Sequence, residues 1–236
     1  MHLLVCFALK EEAAPFQKMA AGTVAAAQAA SVLITGIGRK NAEKSVREFL
    51  TANYGGASVP ASRLVSSLAP PELVLTCGFA GGLNPDLKLG EVVFELSDSE
   101  IRNPQSAIRN HLLAAGAKPA KFFCADRVAI TVAEKKKSRA ETGADVVEME
   151  SAAIHTICRE RGIPCATVRV ILDTASEDLP LDFNALARPD MTLDYGKLAL
   201  AIARSPGKIG ALQRLQKNCR FAADQLAAVL DKITFP

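Results

Sequence analysis

Three carboxylates and one arginine are the residues of this sequence best suited to chemistry. Glu12, Glu150 and Asp173 each follow a short apolar run, and Arg169 lies inside the run that precedes Asp173. An unpaired guanidinium within such a run would be very costly, so Arg169 needs a carboxylate partner. Glu12 or Asp173 is predicted to be that partner. Carboxylates gathered at one place are suited to general acid–base catalysis on a bound substrate.

Each of these carboxylates, taken alone, has a simpler explanation. The dipole of a helix favours Glu12 in its first turn and Glu150 at its start. The arginine inside an apolar run has no such explanation. In open α/β sheets, ligands bind beyond the carboxyl ends of the strands, so the four residues together predict a site at that edge of a sheet.

The elements that would position these residues are short β-branched runs that alternate with helix-like segments. Near-continuous apolar runs are typical of strands buried on both faces, and the alternation predicts an α/β fold with a parallel or mixed sheet. Residues Gly78–Gly82 are predicted to form a loop in which the backbone approaches a ligand closely. Strands are predicted at Leu3–Phe7, Ser31–Thr35, Glu72–Cys77, Glu91–Leu96, Lys121–Cys124, Asp145–Glu148 and Cys165–Leu172, and helices at Glu11–Ala20, Lys40–Thr51, Ser106–Gly116, Ala133–Thr142 and Ser151–Arg161.

Length and composition restrict the class of protein. The chain has 236 residues, 49% of them hydrophobic and 22% charged, which is typical of a globular protein and predicts a single domain over residues 1–236. A net charge of +3 and an aromatic content of 5% argue against a nucleic-acid partner. The start lacks a basic n-region, and the uncharged stretch 19–38 is too rich in Ala and Gly for membrane insertion. We therefore expect a cytoplasmic protein.

The usual cofactor and metal signatures are missing from the sequence. Gly36-Ile37-Gly38 lacks the third glycine of a dinucleotide fingerprint, and no P-loop or nucleophile-elbow motif occurs. The six cysteines form no CxxC pair and the three histidines lie far apart, so neither a metal nor a cofactor is expected. The run Lys135-Lys136-Lys137 is predicted to be a solvated helix face.

A single apolar seam follows the predicted C-terminal helix. Its residues recur at spacings of three and four, which is typical of one buried helix face. Packing on the chain's own sheet and packing against a second subunit would both explain it, and the sheet is the favoured explanation. The seam consists of Leu212, Leu215, Cys219, Ala222, Leu226, Val229 and Ile233.

Five short stretches, in a matching order, give the sequence a resemblance to a known family. It resembles the purine nucleoside and uridine phosphorylase superfamily, on the side of the methylthioadenosine/S-adenosylhomocysteine nucleosidases. The resemblance implies a three-layer αβα fold with a mixed, partly barrel-like central sheet, and a homodimer. It rests on Phe7-Ala8-Leu9-Lys10-Glu11-Glu12, Thr35-Gly36-Ile37-Gly38, Gly78-Phe79-Ala80-Gly81-Gly82-Leu83, Val147-Glu148-Met149-Glu150-Ser151-Ala152-Ala153 and Val168-Arg169-Val170-Ile171-Leu172-Asp173.

The resemblance also implies roles for the site residues. Asp173 would hydrogen-bond or protonate N7 of a purine, and Glu150 would accept both ribose hydroxyls, with Met149 against the sugar. Glu12 would orient and deprotonate water, with Arg169 fixing its carboxylate. An acid at the leaving base and a base at the water are what cleavage of an N-glycosidic bond requires.

Other implied substrate-binding positions are Gly78 and Ala8, and two further ones depart from the family pattern. Phe79 stands where the nucleosidases have a Ser that helps to hold the water or phosphate, and Val128 stands near the position of an aromatic residue that stacks on the purine. An Arg that binds phosphate in the nucleoside phosphorylases would lie near Thr76 and is missing.

These observations favour hydrolysis of a purine nucleoside, with adenine as the favoured base. A phosphate dianion needs fixed donors, and the missing Arg and the bulky Phe79 argue against them. Phosphorolysis is the alternative reaction. A catalytically silent nucleoside-binding protein is the alternative class, which the changes at Phe79 and Val128 motivate.

The 5′ side of the substrate has two explanations. The segment Ser97–Lys121 is shorter than in a typical nucleosidase, which together with Phe79 and Val128 indicates an open, apolar site. The tail resembles the hopanoid-associated branch, whose implied substrate is adenosylhopane, and its basic helices would suit a peripheral contact with anionic membrane. A soluble substrate such as methylthioadenosine is slightly favoured over a membrane-resident 5′-alkyl adenosine. The tail resemblance rests on Ala187-Arg188-Pro189-Asp190 and Ala203-Arg204-Ser205-Pro206-Gly207-Lys208.

Overall fold

A mixed β-sheet lies at the centre of the molecule. It is seen in a computed structural model that describes residues 2–21, 30–54, 71–96, 104–192 and 194–234. Within these ranges the sheet has eight strands. They are β1 (Leu3–Phe7), β2 (Ala30–Ile34), β3 (Leu73–Gly82), β4 (Val92–Leu96), β5 (Lys118–Pro119), β6 (Phe122–Cys124), β7 (Val146–Glu148) and β8 (Cys165–Asp173).

Helices of the described residues follow most of these strands. A 3₁₀ turn at Pro206–Lys208 separates the last two helices. The helices are α1 (Lys10–Ala20), α2 (Arg39–Tyr54), α3 (Pro104–Ala114), α4 (Val132–Thr142), α5 (Ser151–Glu160), α6 (Phe183–Leu186), α7 (Tyr195–Arg204) and α8 (Ile209–Thr234).

The sheet is parallel at its centre and curls towards closure at one side. Strands β2, β1, β3 and β8 are parallel neighbours, and β4 joins antiparallel to β8. The short strands β5 and β6 are almost continuous in sequence, and β5 pairs with β4 while β6 pairs with β7. Because β7 returns to pair with the end of β3, the strands β3, β8, β4, β5–β6 and β7 form a ring. The sheet is therefore mixed and partly barrel-like.

Helices cover both faces of the parallel part of the sheet. One face carries a core in which α1, α3 and α8 pack on β1, β3 and β8. The other carries a smaller core formed with α2 and α5. Strands covered on both faces need apolar side chains at every position, and the fully buried pattern of β1 meets that need. The three-layer αβα architecture expected from the sequence is confirmed.

The segment Gly78–Gly82 is not a loop. It continues strand β3, because Gly78 and the residues after it pair with β8, and Gly81 and Gly82 also pair with β7. The glycines suggested a loop, but backbone pairing on both sides holds the segment extended. The two-residue strand β5 was also absent from the expected elements, since two exposed residues leave no apolar pattern.

The apolar seam of α8 is divided between two surroundings. Its C-terminal half, with Ala222, Leu226 and Ile233, is buried in the core beside α1 and β8, as expected for packing on the chain's own sheet. Its N-terminal residues Leu212 and Leu215 are only partly buried and face a cavity. Among the described residues, no helix is both long enough and apolar enough to cross a bilayer.

Candidate active site

A cavity of about 860 Å³ opens beyond the carboxyl ends of β1, β3, β7 and β8. This is the edge at which the sequence predicts a site. Arg169 and Gly78 are not part of the wall, and Arg169 is buried directly behind it. The predicted site residues that line the cavity are Ala8, Glu12, Phe79, Val128, Met149, Glu150 and Asp173.

Glu12 is held in this wall by two backbone N–H groups. It lies in the first turn of α1, and its Oε2 accepts from Leu9 N at 2.8 Å while its Oε1 accepts from Phe79 N at 2.8 Å. Burial raises the pKa of Glu12 to about 7, against the lowering effects of the Arg169 charge and the Phe79 hydrogen bond. The carboxylate is therefore fixed in place and able to accept a proton near neutral pH.

Arg169 pairs with different carboxylates from those predicted. Its Nη2 lies 2.7 Å from Glu148 Oε2 and 3.2 Å from Glu150 Oε2. The expectations that Glu12 or Asp173 would be its partner, and that it would fix the Glu12 carboxylate, are wrong. The reason is tertiary: β7 pairs with β3 next to β8, so the end of β7 reaches the guanidinium first.

Gly78 leaves room for the Arg169 guanidinium and the Glu12 carboxylate beside the strand. A Cβ at this position would lie 2.7 Å from both Arg169 Nη1 and Glu12 Oε1, which no real side chain tolerates. The residue also has a φ of +142°, which favours glycine. Gly78 thus serves the site by lacking a side chain rather than by touching the cavity.

Glu148 and Glu150 form a coupled pair around the guanidinium. Glu148 Oε2 also accepts from the backbone N–H groups of Glu150 and Ser151, at 2.9 and 2.8 Å. Burial opposes ionisation of Glu148, but the Arg169 charge and the Ser151 hydrogen bonds hold its pKa below the usual value. Burial raises the pKa of Glu150, as does Glu148, while Arg169 lowers it. Glu150 Oε1 accepts from Gly38 N at 2.8 Å, so both of its oxygens have a protein partner.

Asp173 ends β8 and pairs with a lysine that the sequence analysis placed in solvent. Lys135 is fully buried, and its Nζ lies 2.5 Å from Asp173 Oδ2. The prediction that the Lys135-Lys136-Lys137 run is a solvated face is therefore wrong for its first member. Burial raises the pKa of Asp173, and the Lys135 charge opposes that rise.

The remaining predicted residues contribute apolar walls. Met149 is almost fully buried, and Phe79 and Val128 are partly buried in the wall. The backbone of Val128 is fixed by Asn184, whose side chain accepts from Val128 N and donates to Val128 O, each at 2.9 Å. Ala8 lies at the end of β1.

The far wall of the cavity was not predicted from the sequence. Segments after β8 and the two C-terminal helices supply it, and most of its side chains are apolar. The spacing of the α8 seam contained a signal, but a helix face that lines a cavity has the same period as one that packs on a sheet. This wall consists of Leu179, Phe183, Leu198, Ile202, Ile209, Leu212, Gln213, Leu215, Gln216 and Cys219.

Comparison with known proteins gives both sequence and structural relatives. A family model described as the phosphorylase superfamily matches residues 106–202. The 5′-methylthioadenosine/S-adenosylhomocysteine nucleosidase of Glaesserella parasuis is 27% identical over 158 residues, which cover 54% of this chain and 67% of that protein. The aminodeoxyfutalosine nucleosidase of Campylobacter jejuni is 25% identical over 160 residues, which cover 54% and 67%.

A solved structure extends the likeness to nearly the whole chain. The 5′-methylthioadenosine/S-adenosylhomocysteine nucleosidase of Neisseria meningitidis, in complex with methylthio-immucillin-A, aligns with a TM-score of 0.64 at 16% identity, covering 98% of this chain and 97% of that one. The resemblance to the phosphorylase superfamily is confirmed. At this identity the solved structure establishes a shared fold, so the chain has the phosphorylase fold.

Within this phosphorylase fold, two carboxylates with raised pKa values face one cavity. Glu12 lies in the first turn of α1, the helix that follows β1, and Asp173 ends β8. One is held by backbone donors and the other by an ammonium, so their environments differ. Two carboxylates in different environments can act as a base and an acid in one reaction.

The raised pKa of Glu12 predicts a pH-dependent difference in stability. The folded protein keeps a proton on Glu12 up to a pH of about 7, whereas the unfolded chain releases it near 4.5. Unfolding therefore releases a proton between these values, and the stability of the wild type falls as the pH rises. The free energy of unfolding of the wild type minus that of Glu12→Gln should fall by roughly 2.5 kcal/mol between pH 5 and pH 8.

Urea unfolding at both pH values measures this difference. Glu48→Gln on α2 is the matched control, because Glu48 is exposed. For this variant, the difference in free energy of unfolding from the wild type should be the same at both pH values. A difference for Glu12→Gln that also stays flat would contradict the raised pKa.

Proposed function

We propose that this protein is a nucleosidase that hydrolyses the N-glycosidic bond of a purine nucleoside. The observation that carries the proposal is the pair Glu12 and Asp173, two carboxylates with raised pKa values on one cavity wall. The names of the sequence relatives, which are nucleosidases, support the same reaction.

Glu12 is the proposed base. Its two oxygens are held by Leu9 N and Phe79 N, so a lone pair keeps a constant direction towards the cavity. With a pKa of about 7, a large fraction of Glu12 is ionised near neutral pH and yet basic enough to take a proton from water. The water oxygen then forms a bond to C1′ of the sugar.

Glu150 and Met149 are proposed to hold the ribose. Gly38 N and Arg169 fix the Glu150 carboxylate, which would accept hydrogen bonds from the two ribose hydroxyls. Arg169 is then a positioning residue, because it acts on the substrate through Glu150. Met149 would supply the apolar surface under the sugar.

Asp173 is the proposed acid. Its protonated form would donate to N7 of the purine as the bond between C1′ and the base breaks, so that the base leaves as a neutral molecule. Burial, which raises the pKa of Asp173, favours this protonated form. Phe79 and Val128 would pack against the base.

Hydrolysis is preferred to phosphorolysis because the described residues that line the cavity include no unpaired cation that could bind phosphate. Among its described lining residues the one basic side chain is Arg127, which forms an ion pair with Glu134. Arg169 is also paired, with Glu148 and Glu150. A phosphate dianion needs several fixed donors in such a site.

Removal of either proposed proton-transfer group should lower turnover strongly. Glu12→Gln and Asp173→Asn should each lower kcat for adenine release about 100-fold or more, since a positioned acid or base contributes 10²–10⁴-fold. Adenine release from adenosine, methylthioadenosine and a 5′-alkyl adenosine, each with and without phosphate, measures this. Glu48→Gln, at an exposed position on α2, is the control.

The outcomes of this panel separate the alternatives. Release of adenine from the wild type without phosphate supports hydrolysis, and strict dependence on phosphate would establish phosphorolysis instead. A wild type that binds these nucleosides but releases no base would make the protein a silent nucleoside-binding protein.

We further infer that the substrate carries a large apolar group at its 5′ side. The purine ring, the sugar and the water have proposed partners near the strand ends, whereas the far wall is mostly apolar and belongs to the segments after β8 and to α7 and α8. Methylthioadenosine would leave much of this wall uncovered. An apolar wall without an apolar ligand exposes surface to water at a cost of about 25 cal/mol per Å².

Polar substitutions in this wall should discriminate between substrates. Ile202→Ser and Leu212→Ser should each lower kcat/KM for a long-chain 5′-alkyl adenosine by roughly 10-fold and leave methylthioadenosine nearly unchanged. Leu113→Ser on α3 is the control, because Leu113 is 42% exposed and does not line the cavity. Equal losses on both substrates would refute the inference.

A peripheral contact of α7 with anionic membrane would bring such a substrate to the cavity. Leu198 and Ile202 of this helix line the cavity, while Tyr195 and Leu200 are 74% and 49% exposed. Exposed apolar side chains beside cations are typical of helices that lie on a lipid surface. The exposed cations of this region are Lys197, Arg204 and Lys208.

Vesicle binding tests the membrane contact. The protein should co-sediment with vesicles that contain phosphatidylglycerol and not with pure phosphatidylcholine, and added salt should release it. The double variant Arg204→Glu/Lys208→Glu should bind at least 10-fold more weakly, at about 1 kcal/mol per cation. Lys136→Glu/Lys137→Glu on α4 is the charge-matched control. No sedimentation of the wild type, or equal losses in both variants, would exclude this contact surface.

Assembly as a homodimer and residence in the cytoplasm remain predictions. The first follows from the family resemblance and the second from the sequence.

A further inference from the structure

Lys135 occupies a position in which a lysine is rarely found. It is fully buried, and its Nζ lies within 2.5 Å of Asp173 Oδ2 and 2.7 Å of each of the carbonyl oxygens of Thr174 and Glu177. An ammonium group has three hydrogens, and each has one acceptor here. Buried lysines occur almost only when paired, and this one is paired with the proposed acid.

Contacts at the N-terminus of α4 hold the Lys135 side chain in this position. Thr131 and Glu134 form a reciprocal capping box at the helix N-terminus. Two further hydrogen bonds tie that N-terminus to the segment after β8: Leu179 N donates to Ile130 O at 2.8 Å, and Val132 N donates to Asp178 Oδ1 at 2.6 Å. The ammonium therefore has a defined place relative to the end of β8.

We propose that Lys135 is a positioning residue that orients the Asp173 carboxyl group for proton transfer to the leaving base. This inference rests on the proposed nucleosidase function. Lys135 engages Oδ2, so Oδ1 remains to carry the transferred proton. The carbonyl contacts hold the backbone that follows Asp173, which restricts rotation of the acid within the cavity wall.

The ammonium also stabilises the charge that the reaction creates. As the proton passes from Oδ1 of Asp173 to N7, the electron pair of the glycosidic bond moves to the base and the acid becomes a carboxylate. Water supplies the new bond to C1′, and its proton goes to Glu12. The new negative charge forms beside Lys135, in a buried place where a fixed cation is more effective than solvent.

The charges around Asp173 determine the direction of the expected pKa change. Lys135 of α4 lowers the pKa of Asp173, whereas burial and Glu177 raise it. The Cys219 thiol of α8, whose pKa is raised by burial, also interacts electrostatically with Asp173. Without the lysine charge, nothing named here opposes the effects of burial and Glu177, so the pKa of Asp173 should rise further.

Lys135→Met tests the role, with Lys136→Met and Lys137→Met as matched controls from the exposed part of the same run. On a nucleoside that the wild type cleaves, Lys135→Met should lower kcat about 10- to 100-fold, a part of the contribution of the acid, and change KM less than about threefold. The controls should match the wild type.

An infrared titration of the Asp173 carboxyl group is the second measurement. The band is assigned by its loss in Asp173→Asn, and its midpoint should move to higher pH in Lys135→Met. A lysine that merely supports the fold would lower the unfolding temperature without this change. If Lys135→Met does not fold, Lys135→Gln keeps a donor and most of the volume while removing the charge, and the same shift is expected.

The outcomes distinguish this inference from the proposed function. An active wild type with unchanged kcat and an unchanged Asp173 midpoint in the folded lysine variant would refute the role of Lys135 alone. A wild type that cleaves no nucleoside would refute the nucleosidase proposal, and with it the positioning role, whatever the titration shows.

Discussion

The ion pair between Arg169 and two buried glutamates is the interaction on which the rest of the site depends. Arg169 lies in the interior strand β8, and its buried guanidinium pairs with Glu148 and Glu150. Loss of one partner would leave a buried charge uncompensated, at a cost of about 3–5 kcal/mol. The absence of a side chain at Gly78 makes room for this cluster and for Glu12 beside it. The position of Glu150 and the electrostatic surroundings of Glu12 both follow from that arrangement.

The same arrangement explains why the site is costly to fold. Burial raises the pKa of Glu12, Glu150 and Asp173, so each ionises less readily than it would in water. Two cations, Arg169 and Lys135, limit these shifts, and each is itself buried and paired. Groups with shifted pKa values near one cavity are typical of catalytic sites, where proton affinity is matched to the reaction.

The C-terminal helices give the cavity an apolar wall opposite the polar strand ends. The strand ends supply carboxylates and backbone donors, while α7 and the first turns of α8 supply apolar side chains. The second half of α8 is anchored in the core beside α1, so the cavity wall is attached to a stable element. This division separates the groups suited to bond cleavage from the surface suited to recognition of a large substituent.

The sequence by itself determined the elements and the chemical types at their ends. Alternating apolar runs and helical periods depend on neighbours in the chain, and for that reason the order of strands and helices and the residues Glu12, Glu150 and Asp173 could be predicted at the edge of the sheet. Only the tertiary structure decided which charges pair. Arg169 meets Glu148 because β7 folds back onto β3, and Lys135 meets Asp173 because the start of α4 lies against the segment after β8. A three-lysine run has the same local pattern whether or not its first member is buried, since burial depends on contacts between segments distant in sequence.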